Sequence, residues 1–275
     1  MWTLSGFADE ISPDLDEQCR VLEKLGIGHI EFRSAWDTNV LDLSDDQLET
    51  VRRTLEHRNL RTSSVGSPIG KIAIGDDFDE HLRRFDRALH VASVLRAPYI
   101  RLFSFFLPEG DDPAVHRDEV LRRMTALADR ARGHDVVLLH ENEKHIYGDT
   151  PDRCLDIVES VGSPQLRIAW DAANFVQCGV RPHTEGFAML RPHLEYVQIK
   201  DALLDTGGVV PAGEGDGEVR ETLRALHEDG FDGFFSLEPH LAAQGPMGGF
   251  SGGELFTVAH RALVGLLAGL GIDHR

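Results

Sequence analysis

The chain has 275 residues, 41% hydrophobic and 27% charged, enough for a full core of ordinary globular composition. With 28 Lys and Arg against 46 Asp and Glu, its net charge of −18 repels phosphate backbones and argues against nucleic acid as a partner. Three scattered cysteines, Cys19, Cys154 and Cys178, form no zinc-module spacing and fit a reducing cytoplasm, and neither a signal peptide nor a membrane span is legible.

A predicted strand over 3–8 leads to a helix over 14–25, which opens after Ser12-Pro13 and closes at Gly26, the usual asymmetry of helix ends. The next strand, 29–33, precedes a helix over 44–58 with Ser44 as its cap and Leu48, Val51 and Leu55 on one buried face. Strands over 61–66 and 99–105 alternate with longer amphipathic helices over 78–96 and 113–132. Strand 136–141 precedes helix 151–161, strand 166–171 helix 184–190, strand 196–200 helix 219–228, and strand 234–238 helix 254–270.

That last helix is broadly apolar (Ala259, Leu263, Val264, Leu266, Leu267, Leu270), and its polar start marks it as packed on the protein rather than in a membrane. Eight alternating units predict a single (β/α)8 barrel domain over 1–275. Glycine clusters at 207–208, 213–217 and 248–253 fall in strand-to-helix loops. The 213–217 loop is no phosphate loop: it lacks a GK[ST] ending and carries Glu214 and Asp216, so it is expected to cap the next helix or close over a substrate.

Catalytic groups of such a barrel come from the C-terminal ends of its strands. The fifth strand ends His140-Glu141-Asn142-Glu143, the sixth Trp170-Asp171, the seventh Gln198-Ile199-Lys200-Asp201 and the eighth Leu237-Glu238-Pro239-His240. Glu141, Asp171, Gln198 and Glu238 are thereby delivered to one rim. Three carboxylates gathered there repel one another unless a cation joins them, and an all-oxygen set suits Mn2+ or Mg2+ first, with Co2+ or Zn2+ as further candidates.

Around this core stand secondary candidates, each with a plainer structural reading. His145 reads as a proton shuttle or an exposed loop residue. Lys200, two residues after Gln198 and so on the same strand face, neutralises an oxyanion or pairs with a carboxylate. His240 stands in the same relation to Glu238. Glu31 and Arg101 reach substrate hydroxyls from the other half of the barrel or, as the stronger expectation, pair inside it. Trp36, Phe103, Phe105 and Phe106 line an apolar wall or belong to the core.

The segments HENE (140–143), WDAANF (170–175), QIKDA (198–202), PAGEGDG (211–217) and SLEPH (236–240) resemble the sugar phosphate isomerase/epimerase family of xylose isomerase-like TIM barrels. The resemblance covers nearly the whole chain. It implies a divalent metal held by Glu141, Asp171, Gln198 and Glu238, with Gln198 standing where many members have His. It also puts Asn174 where epimerases often have a substrate-binding His. The expected activity is sugar isomerisation or epimerisation by proton transfer through a metal-stabilised enediolate, with Glu141 and Glu238 moving the protons.

A lyase or dehydratase acting on a keto-sugar, inosose or 3-keto-glycoside by β-elimination begins with the same proton abstraction and stays open. Two other classes are weaker. An apurinic-site endonuclease would resemble a His-rich multi-metal site on a basic groove, against the net −18; a non-catalytic sugar-binding barrel has no need of three gathered carboxylates. A small-molecule sugar is the expected partner, and exposed apolar loops would suit a homodimer.

Overall fold

The computed structural model describes residues 1–245 and 248–275. Eight parallel strands form its centre: β1 (Thr3–Gly6), β2 (His29–Phe32), β3 (Arg61–Val65), β4 (Tyr99–Leu102), β5 (Val137–Glu141), β6 (Leu166–Asp171), β7 (Leu194–Ile199) and β8 (Phe234–Leu237). Hydrogen-bonded ladders run in the order β1-β8-β7-β6-β5-β4-β3-β2. Strands β1 and β2 lie side by side at the remaining seam, so the sheet is a nearly closed (β/α)8 barrel.

The crossovers are α1 (Leu15–Leu25), α2 (Asp45–His57), α3 (Phe78–Leu95), α4 (Pro113–Ala131) and α5 (Pro151–Val161), then a short α6 (Ala172–Gln177), α7 (Val219–Glu228) and α8 (Gly252–Leu270). Local chemistry sets their ends. The Asp14 carboxylate accepts from the Glu17 N–H, and Gly26 ends α1 at φ 74°. Ser44 and Gln47 form a reciprocal capping box at the start of α2. Helix α8 is long and apolar enough to cross a membrane by length and composition. Its Phe256, Ala259, Leu263, Leu266 and Leu267 are nevertheless buried, and it packs against α1 and α7.

Three elements depart from the sequence pattern. The strand expected over 99–105 stops at Leu102, because residues 103–106 leave the sheet to pair with 69–72: the Phe103 N–H donates to Ile69 O at 2.8 Å and Phe106 N–H to Ile72 O at 2.9 Å. The helix expected over 184–190 is a wide π turn, His183–Phe187, running into one short turn, Ala188–Leu190. Helix α6 starts without a loop because the Asp171 side chain accepts the Asn174 N–H at 2.9 Å, and six residues are too few to show a period.

Side-chain alternation stacks the barrel interior in layers. Leu139, Ala169 and Tyr196 make an apolar floor, with Tyr99, Val137 and Phe234 packed beneath. Beside the floor, Ser5 and Ser63 hydroxyls meet at 2.6 Å and Ser63 meets the Tyr196 hydroxyl at 2.9 Å. One step further along the strands the inward positions are Glu31, Arg101, Gln198 and Ser236, and beyond them Glu141, Asp171, Lys200 and Glu238. Apolar packing thus closes one end of the barrel, and the buried charged side chains of its interior stand at the other.

The β3–α3 loop yields a pH prediction. His81 is 5% exposed, and its Nε2 accepts the Gly70 N–H at 2.8 Å. Burial lowers the ring's pKa to about 4 from the usual 6.5. The unfolded chain therefore takes up the proton first, so stability is full above about pH 6.5 and is lost as pH falls toward 4. Urea titrations at pH 7 and pH 5 should differ by about 2 kcal/mol from this group, and His81→Gln, which can still accept from Gly70, should reduce that difference. An unchanged difference in the variant would refute the assignment.

Candidate active site

Strands β5 to β8 bring four predicted residues together. Carboxylate oxygens of Glu141, Asp171 and Glu238 all lie within 4.8 Å of one another, and each of these residues is buried. Gln198 is beside them, in register with Asp171 on β6 and Ser236 on β8. Its amide N–H donates to Glu31 Oε2 at 3.0 Å. That leaves Gln198 Oε1 buried and, among the described residues, without a hydrogen-bond partner.

Cations face this cluster. Lys200 Nζ is 2.9 Å from Asp171 Oδ2 and 2.8 Å from Glu238 Oε2. Arg101 Nη1 is 3.1 Å from Glu141 Oε2 and 3.5 Å from Glu238 Oε1. Arg33, which sequence reasoning missed, places Nη1 3.0 Å from Glu238 Oε1 and Nε 2.7 Å from Asp9 Oδ2. Both guanidinium groups stack on the Phe7 ring, at 4.6 and 4.7 Å from its centroid.

The electrostatics are lopsided. Five buried carboxyl groups (Glu10, Glu31, Glu141, Asp171, Glu238) meet three buried cations (Arg33, Arg101, Lys200). Burial raises Glu141 to about 8 against the pull of Arg101, and raises Asp171 to about 6 against Lys200. Burial alone would raise Glu238 too, but Lys200, His240 and Arg101 hold it well below the usual carboxylate range. Without a further cation the surplus acids hold protons; with a divalent ion they need not. Three carboxylate oxygens and an orphaned amide oxygen on adjacent strands form a hard donor set, so these residues fit such an ion.

Neighbouring side chains hold the cluster in place. Asn142 clamps β5 to β6, its amide donating to Asp171 O at 2.8 Å and accepting the Asp171 N–H at 3.0 Å. Asn174 donates to Glu141 Oε1 at 3.2 Å and to Asn142 O at 2.9 Å, and so orients a candidate ligand. Glu10, unseen in the sequence, ties down the segment after β8: its Oε2 accepts the His240 N–H and the Ser251 hydroxyl, each at 2.8 Å. His240 lies 3.4 Å from Glu238 and 3.3 Å from Glu10 through its ring Nε2.

Other candidates fall elsewhere. His145 is exposed in a left-handed turn (φ 68°), outside the buried cluster. Arg101 and Glu31 are placed as barrel-interior partners of Glu141 and Gln198. Phe103 and Phe105 are wholly buried, Phe103 beneath the Lys71 ammonium at 4.3 Å from the ring centroid, while Trp36 is 36% exposed.

The glycine-rich loop wraps a buried carboxylate. The carboxylate of Asp201, fully buried, accepts four backbone N–H groups, those of Ala202 (2.8 Å), Gly213 (2.8 Å), Gly215 (3.1 Å) and Gly217 (2.8 Å). A Cβ at Gly215 or Gly217 would come within 2.6 Å of its Oδ1, hence the glycines. Asp201→Ala strands those donors and should cost about 3 kcal/mol in chemical denaturation. A loss below about 0.5 kcal/mol would show that water replaces the carboxylate at no cost.

Known proteins resemble this chain in sequence and in fold. A 3-dehydroshikimate dehydratase of Bacillus anthracis is 23% identical over 168 residues, 60% of each chain. A 2-epi-5-epi-valiolone 7-phosphate 2-epimerase of an Actinoplanes species is 37% identical over 106 residues, 38% of this chain and 36% of that protein. The matches thus span less than two thirds of either curated relative. A xylose isomerase-like TIM barrel protein of Mycobacterium smegmatis, solved in complex with magnesium, superposes with a TM-score of 0.70 at 22% identity, over 98% of this chain and 97% of that one. The profile of the xylose isomerase-like TIM barrel family matches residues 19–248, and the chain belongs to that family.

Proposed function

We propose that the protein is a divalent-metal-dependent isomerase or epimerase that moves a proton at the carbon beside a carbonyl of a small sugar or keto-sugar. The observation that carries this reading is the set of buried Glu141, Asp171 and Glu238 oxygens within 4.8 Å, with the orphaned oxygen of Gln198 alongside. These four residues would hold the ion, Mn2+ or Mg2+ by the hardness of the donors. When bound, it supplies Lewis acidity, drawing electron density from the carbonyl and making the adjacent C–H more acidic.

The chain's own groups do the rest. Glu141 on β5 and Glu238 on β8 flank the site from its two outer strands, so one is positioned to take a proton and the other to return it. Arg101 and Arg33 supply positive charge where negative charge develops on substrate oxygens. Asn174 fixes the Glu141 carboxylate through one oxygen and leaves the other toward Arg101.

A dehydratase is the second reading, favoured by one specific feature: His240 places its ring Nε2 3.4 Å from Glu238, an imidazole beside the candidate base to pass a proton to a departing β-hydroxyl. One curated relative, the 3-dehydroshikimate dehydratase, is named for that reaction class. A screen of keto-sugars in D2O with added Mn2+ tests both. Deuterium entry at one carbon without loss of water supports the epimerase, and a product lighter by one water the dehydratase. No exchange across the panel with either Mn2+ or Mg2+ would count against both.

A further inference from the structure

We propose that Lys200 is a built-in substitute for the metal ion: its ammonium occupies the cation's place between Asp171 and Glu238, so that metal binding requires this side chain to move out. The inference rests on the metal reading above and adds a residue that controls affinity.

Geometry makes the two cations exclusive. Lys200, 4% exposed, is within 2.9 Å of oxygens from two of the three candidate carboxylate ligands. Divalent ions bond such oxygens at about 2.0–2.6 Å. An ion joining both oxygens would fall in the volume that Nζ occupies, and like charges at that separation repel strongly.

Of the three buried cations, Lys200 is the one built to leave. Arg33 is tied by Nε to Asp9 and by Nη1 to Glu238, and is stacked on Phe7; Arg101 is stacked on Phe7 and on Phe103, at 4.9 Å from the latter's centroid. Lysine instead carries a compact charge on a flexible four-carbon stem. Its destination is also present. Glu143 lies within the electrostatic reach of Lys200, is less buried than Glu141, and already gathers Lys71 at 3.1 Å and Lys144 at 3.7 Å. A displaced ammonium passes from one carboxylate group to another. Folding can then precede metal loading, since Lys200 offsets the repulsion among the carboxylates until an ion arrives.

The test is calorimetric titration of MnCl2 into the purified protein and its variants at one fixed pH. If the lysine-out arrangement is populated only about 1–10% of the time, apparent affinity is reduced by the same fraction. Lys200→Met should therefore bind Mn2+ about 10–100-fold more tightly than wild type, with a lower melting temperature when metal-free that Mn2+ restores. Arg101→Met removes an equal charge from a group that faces two candidate ligands from farther off, at 3.1 and 3.5 Å, and is pinned between the Phe7 and Phe103 rings, and should tighten binding much less. Lys200→Arg keeps the charge and the fold, and should weaken binding; it decides the matter if Lys200→Met does not fold.

Wild type and both Lys200 variants binding Mn2+ equally would overturn this proposal alone and leave the metal reading intact. Equal tightening by Arg101→Met would also overturn it, reducing the effect to general charge. No binding by any of them would remove the metal reading and this proposal together.

Discussion

Glu238→Gln is expected to lower the rate of substrate proton exchange by about 10²–10⁴-fold, the scale of a lost general acid-base group. Glu238 is the most heavily paired carboxylate in the site, with Lys200 at 2.8 Å, Arg33 at 3.0 Å, His240 at 3.4 Å and Arg101 at 3.5 Å. Those cations keep it ionised, as a base must be, and an uncharged amide neither accepts the proton nor balances them. Its removal strands buried positive charge, so the variant should also lose about 3–5 kcal/mol of stability. Glu141→Gln should lose activity on the same scale, yet only about 1 kcal/mol of stability. The difference follows from the partners and from burial: Glu141 meets one cation, Arg101, where Glu238 meets four basic groups, and burial already raises the metal-free Glu141 carboxyl to about 8. Exchange rates in D2O and urea titrations read both quantities. Near-full activity in both variants would refute the proton-transfer roles.

Stripping the protein of divalent metal with a chelator should reduce activity by about 10³-fold or more, since a metal's polarisation of a carbonyl is worth several kcal/mol. Adding back Mn2+ or Mg2+ should restore it. The fold should survive the treatment, because Lys200, Arg101 and Arg33 already face the three carboxylates. Far-UV circular dichroism should be unchanged, and melting should rise with metal by an amount set by affinity, about 2.7 kcal/mol at a hundredfold excess over Kd. Full activity in the chelated protein would rule out the metal reading, whereas unfolding on chelation would show that the internal cations do not suffice.

The division between what one dimension and three dimensions contain follows the range of the forces involved. Strand and helix periods, caps such as Ser44 and stops such as Gly26 act over a few residues, so the eight alternating units and the barrel were legible directly. The carboxylates were legible for the same reason: an apolar run that ends in Glu141, Asp171 or Glu238 puts an acid at the strand's C-terminal end, and in a parallel barrel those ends share a rim. Lys200 could be placed from its spacing to Gln198 alone.

What closed over that rim could not be read locally. Arg33 meets Glu238 across 205 residues of chain, Gln198 meets Glu31 across 167, and Glu10 reaches Ser251 across 241. Each pairing exists because the barrel brings its first strands round to its last. The glycine-rich loop follows the same rule, since its N–H groups gather on the Asp201 carboxylate more than ten residues away. Sequence alone therefore determined the frame and the acids, through short-range periodicity, and closure of the barrel decided which cations and amides those acids meet.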